Sequence, residues 1–258
     1  MNFKTFASKE VMENMRTKRI LVIMCVFLFM ALSGVFMARY LSEFFNMMTG
    51  MDDALGDLAA IFPDPTWQDS YIQFFGNIGQ VGALTVLLVF LGSILREKRS
   101  GSAALVFTKG LSPTTFVLSK FFVASVITLL STMITLLLNE LFTQVLFGES
   151  GNFGQIMVAG LLLSFFLILL VSITLFISAA VKSTGVGAAL LIFIYFVMVA
   201  ITAIPGIGHV TPGILINRSM GFAIDMTQDG MLLTIIIAVV LTAVCLFGAV
   251  KLTAKKVI

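Results

Sequence analysis

Six long apolar stretches separated by short polar ones organise this chain. They run over 20–38, 74–95, 116–140, 156–181, 184–204 and 230–250. Crossing the hydrocarbon takes roughly 20 residues as a helix, and only helices or closed barrels satisfy the backbone there. The stretches lack the two-residue alternation of barrel strands. The pattern therefore predicts an all-α membrane protein with six transmembrane helices. Between the fourth and fifth stretches the spacing leaves room only for a tight turn around Lys182. The cores of these stretches, 121–138 in the third, carry no ionisable residue, which argues against proton-coupled carriers and voltage sensors.

The segments between the spans have their own patterns. In residues 1–19, Phe3, Phe6, Ala7, Val11 and Met15 group on one helical face, with Lys9, Glu13 and Arg16 opposite; Lys4 and Glu10 blur the stripe. This predicts a helix lying in the membrane interface before the first span. Residues 39–73 form a long external loop with an acidic core, the breakers Pro63-Asp64-Pro65, and then Trp67 and Tyr71 as interfacial anchors of the second span. Asp52, Asp53 and Asp57 lack the spacing of a calcium loop and read as a solvated face. Residues 205–229 contain Pro205-Gly206 and Pro212-Gly213 with little charge, which suits a loop dipping into the outer leaflet.

Residues 96–120 are the most informative. Arg96-Glu97-Lys98-Arg99-Ser100-Gly101-Ser102 leads into an apolar stretch ending at Thr108, and Gly110 and Pro113 then stop the helix before Lys120 opens the third span. A short amphipathic helix over about 97–110 follows, with an apolar face in need of a partner.

Composition agrees with the membrane reading. Of the 258 residues 59% are apolar and 11% charged, and the mean hydropathy is +1.08; soluble domains sit nearer half apolar and a quarter charged. The net charge of +3 is a matter of topology. Lys4, Lys9, Arg16, Lys18, Arg19, Arg96, Lys98, Arg99, Lys109, Lys120, Lys182, Lys251, Lys255 and Lys256 fall on one side, leaving only Arg39 and Arg218 of the 16 basic residues on the other. Ten of the 13 acidic residues fall with Arg39. Cytoplasmic loops carry the Lys and Arg excess, so both termini are expected in the cytoplasm, and the basic excess calls for no nucleic-acid partner. Cys25 and Cys245 lie in apolar runs and read as small hydrophobes.

No chemistry-bearing motif is present. There is no Gly-x-x-x-x-Gly-Lys-[Ser/Thr] phosphate loop and no Gly-x-Ser-x-Gly elbow, and the single histidine, His209, has no second ligand at metal spacing. The chain is read as a non-enzyme without cofactor or metal. Ser125, Thr128, Thr132, Thr135 and Asn139 recur at three- and four-residue spacing on the third span, and Asn77 and Gln80 stand in the outer part of the second. They are candidates for a translocation path, against the alternative that hydroxyls at helix interfaces serve packing.

At residues 96–120 the sequence resembles the membrane subunits of type-2 ABC exporters. These permeases carry, between their second and third helices, an acidic residue, a Gly-Thr pair, an aliphatic run, a short turn and a Lys opening the next helix. Glu97, Gly101, Ser102, Leu105, Val106 and Lys120 stand at those positions, with Ser102 in place of Thr and Gly110-Leu111-Ser112-Pro113 in place of the usual turn. The resemblance implies a permease in the bacterial plasma membrane. It would pair with a second permease, identical or different, and with two cytoplasmic ATPase subunits. The 97–110 helix would couple to the ATPase through Glu97, Arg99, Gly101, Ser102, Ala104, Leu105 and Phe107. The substrate it implies is hydrophobic or amphipathic, a peptide, antibiotic or lipid, moved outward. The competing reading is a stand-alone carrier or channel.

Overall fold

The computed structural model describes residues 3–49, 65–108, 110–206, 208–224 and 230–257, with side chains described through 40 in the first segment and through 255 in the last. Asp52, Asp53, Asp57, Pro63, Asp64, Lys109 and the side chain of Lys256, all used in the sequence reading, lie outside the described residues. The described chain is helical, with no strand.

Helix α1 (Phe3–Arg16) precedes α2 (Arg19–Thr49) across a turn in which Lys18 takes a left-handed φ of 57°. Then come α3 (Trp67–Asn77), a π-helical turn (Ile78–Gly82) and α4 (Ala83–Arg99), together one continuous span. The short α5 (Ser102–Thr108) leads to α6 (Pro113–Phe147), α7 (Phe153–Ala180) and α8 (Thr184–Ile201). Two 3₁₀ turns, α9 (Leu215–Ala223) and α10 (Met231–Val257) complete the order. Six of these helices are long and apolar enough to cross a membrane.

Local chemistry sets the boundaries. Hydropathy marks the part of a helix that lies in hydrocarbon, while caps decide where the backbone stops, so the helices outrun the apolar stretches. The second span begins at Trp67, where the Asp69 carboxylate accepts from the Thr66 N–H at 2.9 Å. Ser112 accepts from the Thr115 N–H ahead of Pro113, the first residue of α6. Gly148 ends α6 at φ 73°, a conformation glycine adopts without a Cβ penalty. Asn152 accepts from the N–H groups of Gly154 and Gln155 to start α7.

α7 is the centre of the bundle: 72% of its apolar window is buried, against 17% for α10 and 22% for α8. Ser178 fixes α7 to α4, donating to the Leu91 carbonyl at 2.6 Å and accepting from the Leu95 N–H at 3.0 Å. The 208–224 segment folds inward: Leu215, Ile216, Arg218, Ser219, Gly221 and Ala223 are buried. α9 lies against the π turn so closely that a Cβ on Gly79 would stand 2.6 Å from Ile216 Cγ2. A π turn breaks the regular ladder, and the Tyr195 hydroxyl on α8 donates to the Gly79 carbonyl at 2.8 Å.

α6 continues past the uncharged core at 121–138, and its Glu140 is buried, accepting from the Tyr71 hydroxyl and from Gln144 Nε2 at 2.9 Å. A carboxyl is thus built into the helical bundle, and hydrogen-bond donors on α3 and α6 make its burial affordable.

Candidate coupling site

The short α5 is bounded by two glycines with positive φ, Gly101 (72°) and Gly110 (82°). Ser102 Oγ and Ser100 Oγ both reach the Glu97 carbonyl, at 3.3 and 3.2 Å, and close the turn out of α4. The Gly110 N–H returns to the Phe107 carbonyl at 2.9 Å, stopping α5 after two turns. α5 presents two faces. Ala103 is buried and the Phe107 ring meets Phe116 of α6 at 5.3 Å, while Ala104 and Leu105 are exposed, Leu105 by 66%.

Glu97 is enclosed by α1 and α6. Its side chain is 8% exposed, and Oε1 accepts from Lys120 Nζ at 2.9 Å and Lys9 Nζ at 2.7 Å. Lys120, at 1% exposure, also donates to Glu10 of α1 at 2.8 Å, and Lys9 pairs with Glu13 at 3.0 Å. Aromatic faces complete the enclosure: Lys120 lies 4.9 Å from the Phe116 centroid and Lys9 5.0 Å from that of Phe6. Glu97 therefore serves as a positioning group that ties α4 to α1 and α6.

Three carboxylates meet two ammonium groups in this cluster, with the Arg19 charge acting on Glu13 as well. Carboxylate oxygens of Glu10, Glu13 and Glu97 come within 4.8 Å of one another, and the two ammonium groups fill the space a metal cation would need. Burial opposes the charge on Lys9, but hydrogen bonds to Glu97 and Glu13 and the charge of Glu10 outweigh it and hold the ammonium well above its usual range. Burial likewise works against the Glu13 carboxylate, yet its bond to Lys9 and the charges of Lys120, Lys9 and Arg19 hold its pKa below the ordinary value.

The next two residues of α4 reach the other half of the bundle. Lys98 Nζ donates to the Ala179 carbonyl at 2.7 Å, placing a cation on the C-terminal end of α7. Arg99 donates to the Lys182 carbonyl (3.1 Å) and to Thr184 Oγ1 (3.4 Å) across the 181–183 connection. Three consecutive positions of α4, Glu97, Lys98 and Arg99, thus connect α1, α6, α7 and α8 at the point where α5 begins.

Sequence reasoning missed Glu10 and Lys120 as partners. Glu10 looked like a flaw in an apolar stripe, whereas it shares a buried stripe with Phe6 and Asn14 that docks α1 on the bundle. A usable signal existed. Glu10, Glu13 and Glu97 are the three acidic residues of 13 that fall on the basic side of the chain.

The path candidates do not gather. Thr128, Thr132, Thr135 and Asn139 are buried inside the chain. The three threonine hydroxyls donate to carbonyls of their own helix, at Ala124, Thr128, and Ser131 and Thr132. This stripe packs α6 against its neighbours rather than lining an open route; half-buried Ser125 lies beside it. Asn77 donates weakly to the Met30 carbonyl at 3.4 Å. Gln80 is exposed on the π turn and lines a groove of about 380 Å³ with Asn217, Thr202, Tyr195 and Phe196.

A search of curated proteins found no match. The family model described as ABC-2 family transporter protein matches residues 5–217, a range that begins inside α1 and ends inside α9. With six spanning helices, this match makes the chain a member of the ABC-2 transporter family: a multi-pass membrane transport subunit that works with ABC ATPase partners and is not itself catalytic.

Proposed function

We propose that the chain is the permease of an ATP-driven exporter in a bacterial plasma membrane. It moves a hydrophobic or amphipathic substrate, a peptide, antibiotic or lipid, out of the cell. Both termini and α5 lie in the cytoplasm, because 14 of 16 basic residues cluster at that end. α1 lies in the interface at the same end, its exposed Phe3, Val11, Met12 and Met15 meeting lipid. Two ATPase subunits dock there, and a second permease, a copy or a relative, completes the transporter.

The observation that carries this reading is the exposed Ala104–Leu105 face of α5, set on a segment joined to both halves of the bundle. An ATPase that grips this face displaces the end of α4. Through Glu97 the displacement reaches α1 and α6, and through Lys98 and Arg99 it reaches α7 and α8. α8 carries Tyr195, whose bond to Gly79 closes the π turn next to Gln80. The substrate route follows the groove at Gln80 and Asn217, where amides at membrane depth want hydrogen-bonding partners.

The test is co-purification of the chain with its ATPase, followed by hydrolysis and transport assays in lipid vesicles. Leu105→Asp is expected to lower ATPase retention at least ten-fold while the bundle stays folded. Gln80→Leu is expected to alter transport with the complex intact. Full ATPase retention by Leu105→Asp would remove α5 as the coupling contact.

A further inference from the structure

A groove lies between α1, α2 and α6 that the coupling and transport readings do not use. Its volume is about 400 Å³, and its lining is apolar apart from Ser131. Ile20 and Met24 of α2 form one wall. Phe122, Val126, Leu130 and Ile134 of α6, spaced every fourth residue, form the other as a single ridge. Their exposures of 54%, 36%, 54% and 43% show that the groove is open along its side. Val11 roofs one end, and the Phe3 ring of α1 meets Phe122 at 6.1 Å.

Size and roof select the occupant. The ridge from Phe122 to Ile134 rises over 12 residue steps, or about 18 Å at about 1.5 Å per residue, close to the roughly 15 Å that one leaflet contributes to a 30 Å hydrocarbon core. The groove's volume of about 400 Å³ lies along that length beneath Val11 of α1. An acyl chain fits, ending where α1 begins.

Charge at the mouth selects the headgroup. Lys4 shares the exposed α1 face of Val11 and Met15 at helical spacing, and exposed Lys18 holds its left-handed turn beside Ile20. Cations at a membrane surface attract anionic lipid. The acidic residues of α1 are occupied: Glu10 and Glu13 are paired with Lys120 and Lys9.

We propose that this groove is a binding site for one anionic phospholipid, its acyl chain against Phe122, Val126, Leu130 and Ile134 and its headgroup at Lys4 and Lys18. The lipid fills the space beneath α1, so the helix that anchors the Glu10–Lys120–Glu97 cluster rests on a bound lipid.

The test is native mass spectrometry of the full chain extracted from vesicles of equal phosphatidylglycerol and phosphatidylcholine. The expected result is one retained phosphatidylglycerol per chain, favoured at least ten-fold over phosphatidylcholine. Leu130→Trp fills the groove and should abolish retention. Val239→Trp, on the exposed face of α10, should leave it unchanged. Should Leu130→Trp fail to fold, the smaller step Val126→Phe makes the same comparison. Lys4→Glu with Lys18→Glu should remove the headgroup preference while leaving a lipid bound. Equal retention by the groove-filling variants and the parent would overturn the site, as would efficient chain-to-chain disulfide formation through Leu130→Cys. An unchanged headgroup preference in the double charge variant would overturn the role given to the two lysines.

Discussion

Lys120 of α6 and Glu97 of α4 meet at 2.9 Å with both side chains enclosed, and Lys120 also holds Glu10 of α1. One ammonium group thus joins three helices at the end of the bundle that carries α5. Removing one partner of such a pair leaves uncompensated buried charge, a cost of about 3–5 kcal/mol. Lys120→Met is therefore expected to release α1 and lower thermal stability markedly. Lys120→Met combined with Glu97→Gln and Glu10→Gln should recover much of that loss, since neutral or apolar groups of similar volume are tolerated where lone charges are not. Thermal unfolding in detergent checks both, and a single variant as stable as the parent would show that the pairing contributes nothing.

Ala103 and Ala104 are neighbours with opposite environments. Ala103 is 1% exposed and faces the bundle, while Ala104 faces outward. Ala103→Glu buries a charge with no partner provided and should destabilise the chain by several kcal/mol. Ala104→Glu should stay within about 0.5 kcal/mol of the parent, as exposed substitutions do, and weaken ATPase retention instead. Comparing melting temperature with ATPase pull-down for the two variants separates fold from coupling.

The spans were legible in the sequence because hydrophobicity over 18 or more residues has few other uses. The helix ends were not, because Thr66, Ser112 and Asn152 cap helices outside the apolar stretches, where hydropathy carries no information. α5 was legible from Gly101, Gly110 and Pro113, but the direction of Glu97 was not. A carboxylate in a run of Arg and Lys looks solvated until Lys120, 23 residues on, and Lys9, 88 residues back, are brought to it. The threonine stripe of α6 showed its spacing without showing that each hydroxyl closes on its own helix. Tertiary pairing decided each of these cases, and local pattern does not contain it.

The ion cluster also sets a pH window for α1. Glu13 has a folded pKa below its ordinary 4.5, so its contribution is complete above about that pH and is lost as pH falls through the folded value. Lys9 has a folded pKa above its ordinary 10.5, so its contribution is complete below that pH and is lost as pH rises through the folded value. Docking of α1 is therefore expected to hold between roughly pH 5 and 10 and to weaken outside that range. Trypsin cleavage at Lys18, an exposed residue of the α1–α2 turn, reports it. Cleavage that rises between pH 6 and 9 would contradict this window.

The π turn offers the sharpest test of how the two halves of the bundle communicate. Tyr195→Phe leaves the Gly79 carbonyl without its hydroxyl donor and is expected to cost about 0.6–1.7 kcal/mol, the range of hydrogen bonds between helices in a membrane. Gly79→Ala acts on the same turn through volume, since its Cβ would stand 2.6 Å from Ile216 Cγ2. Ile216 must move, and α9 with it. Adding Ile216→Ala removes the clashing methyl, so the double variant should be more stable than the sum of the single effects by about 0.5–3 kcal/mol. Strict additivity in that double-mutant cycle would mean that α9 does not bear on the π turn, and that Gln80 and Asn217 do not share one groove.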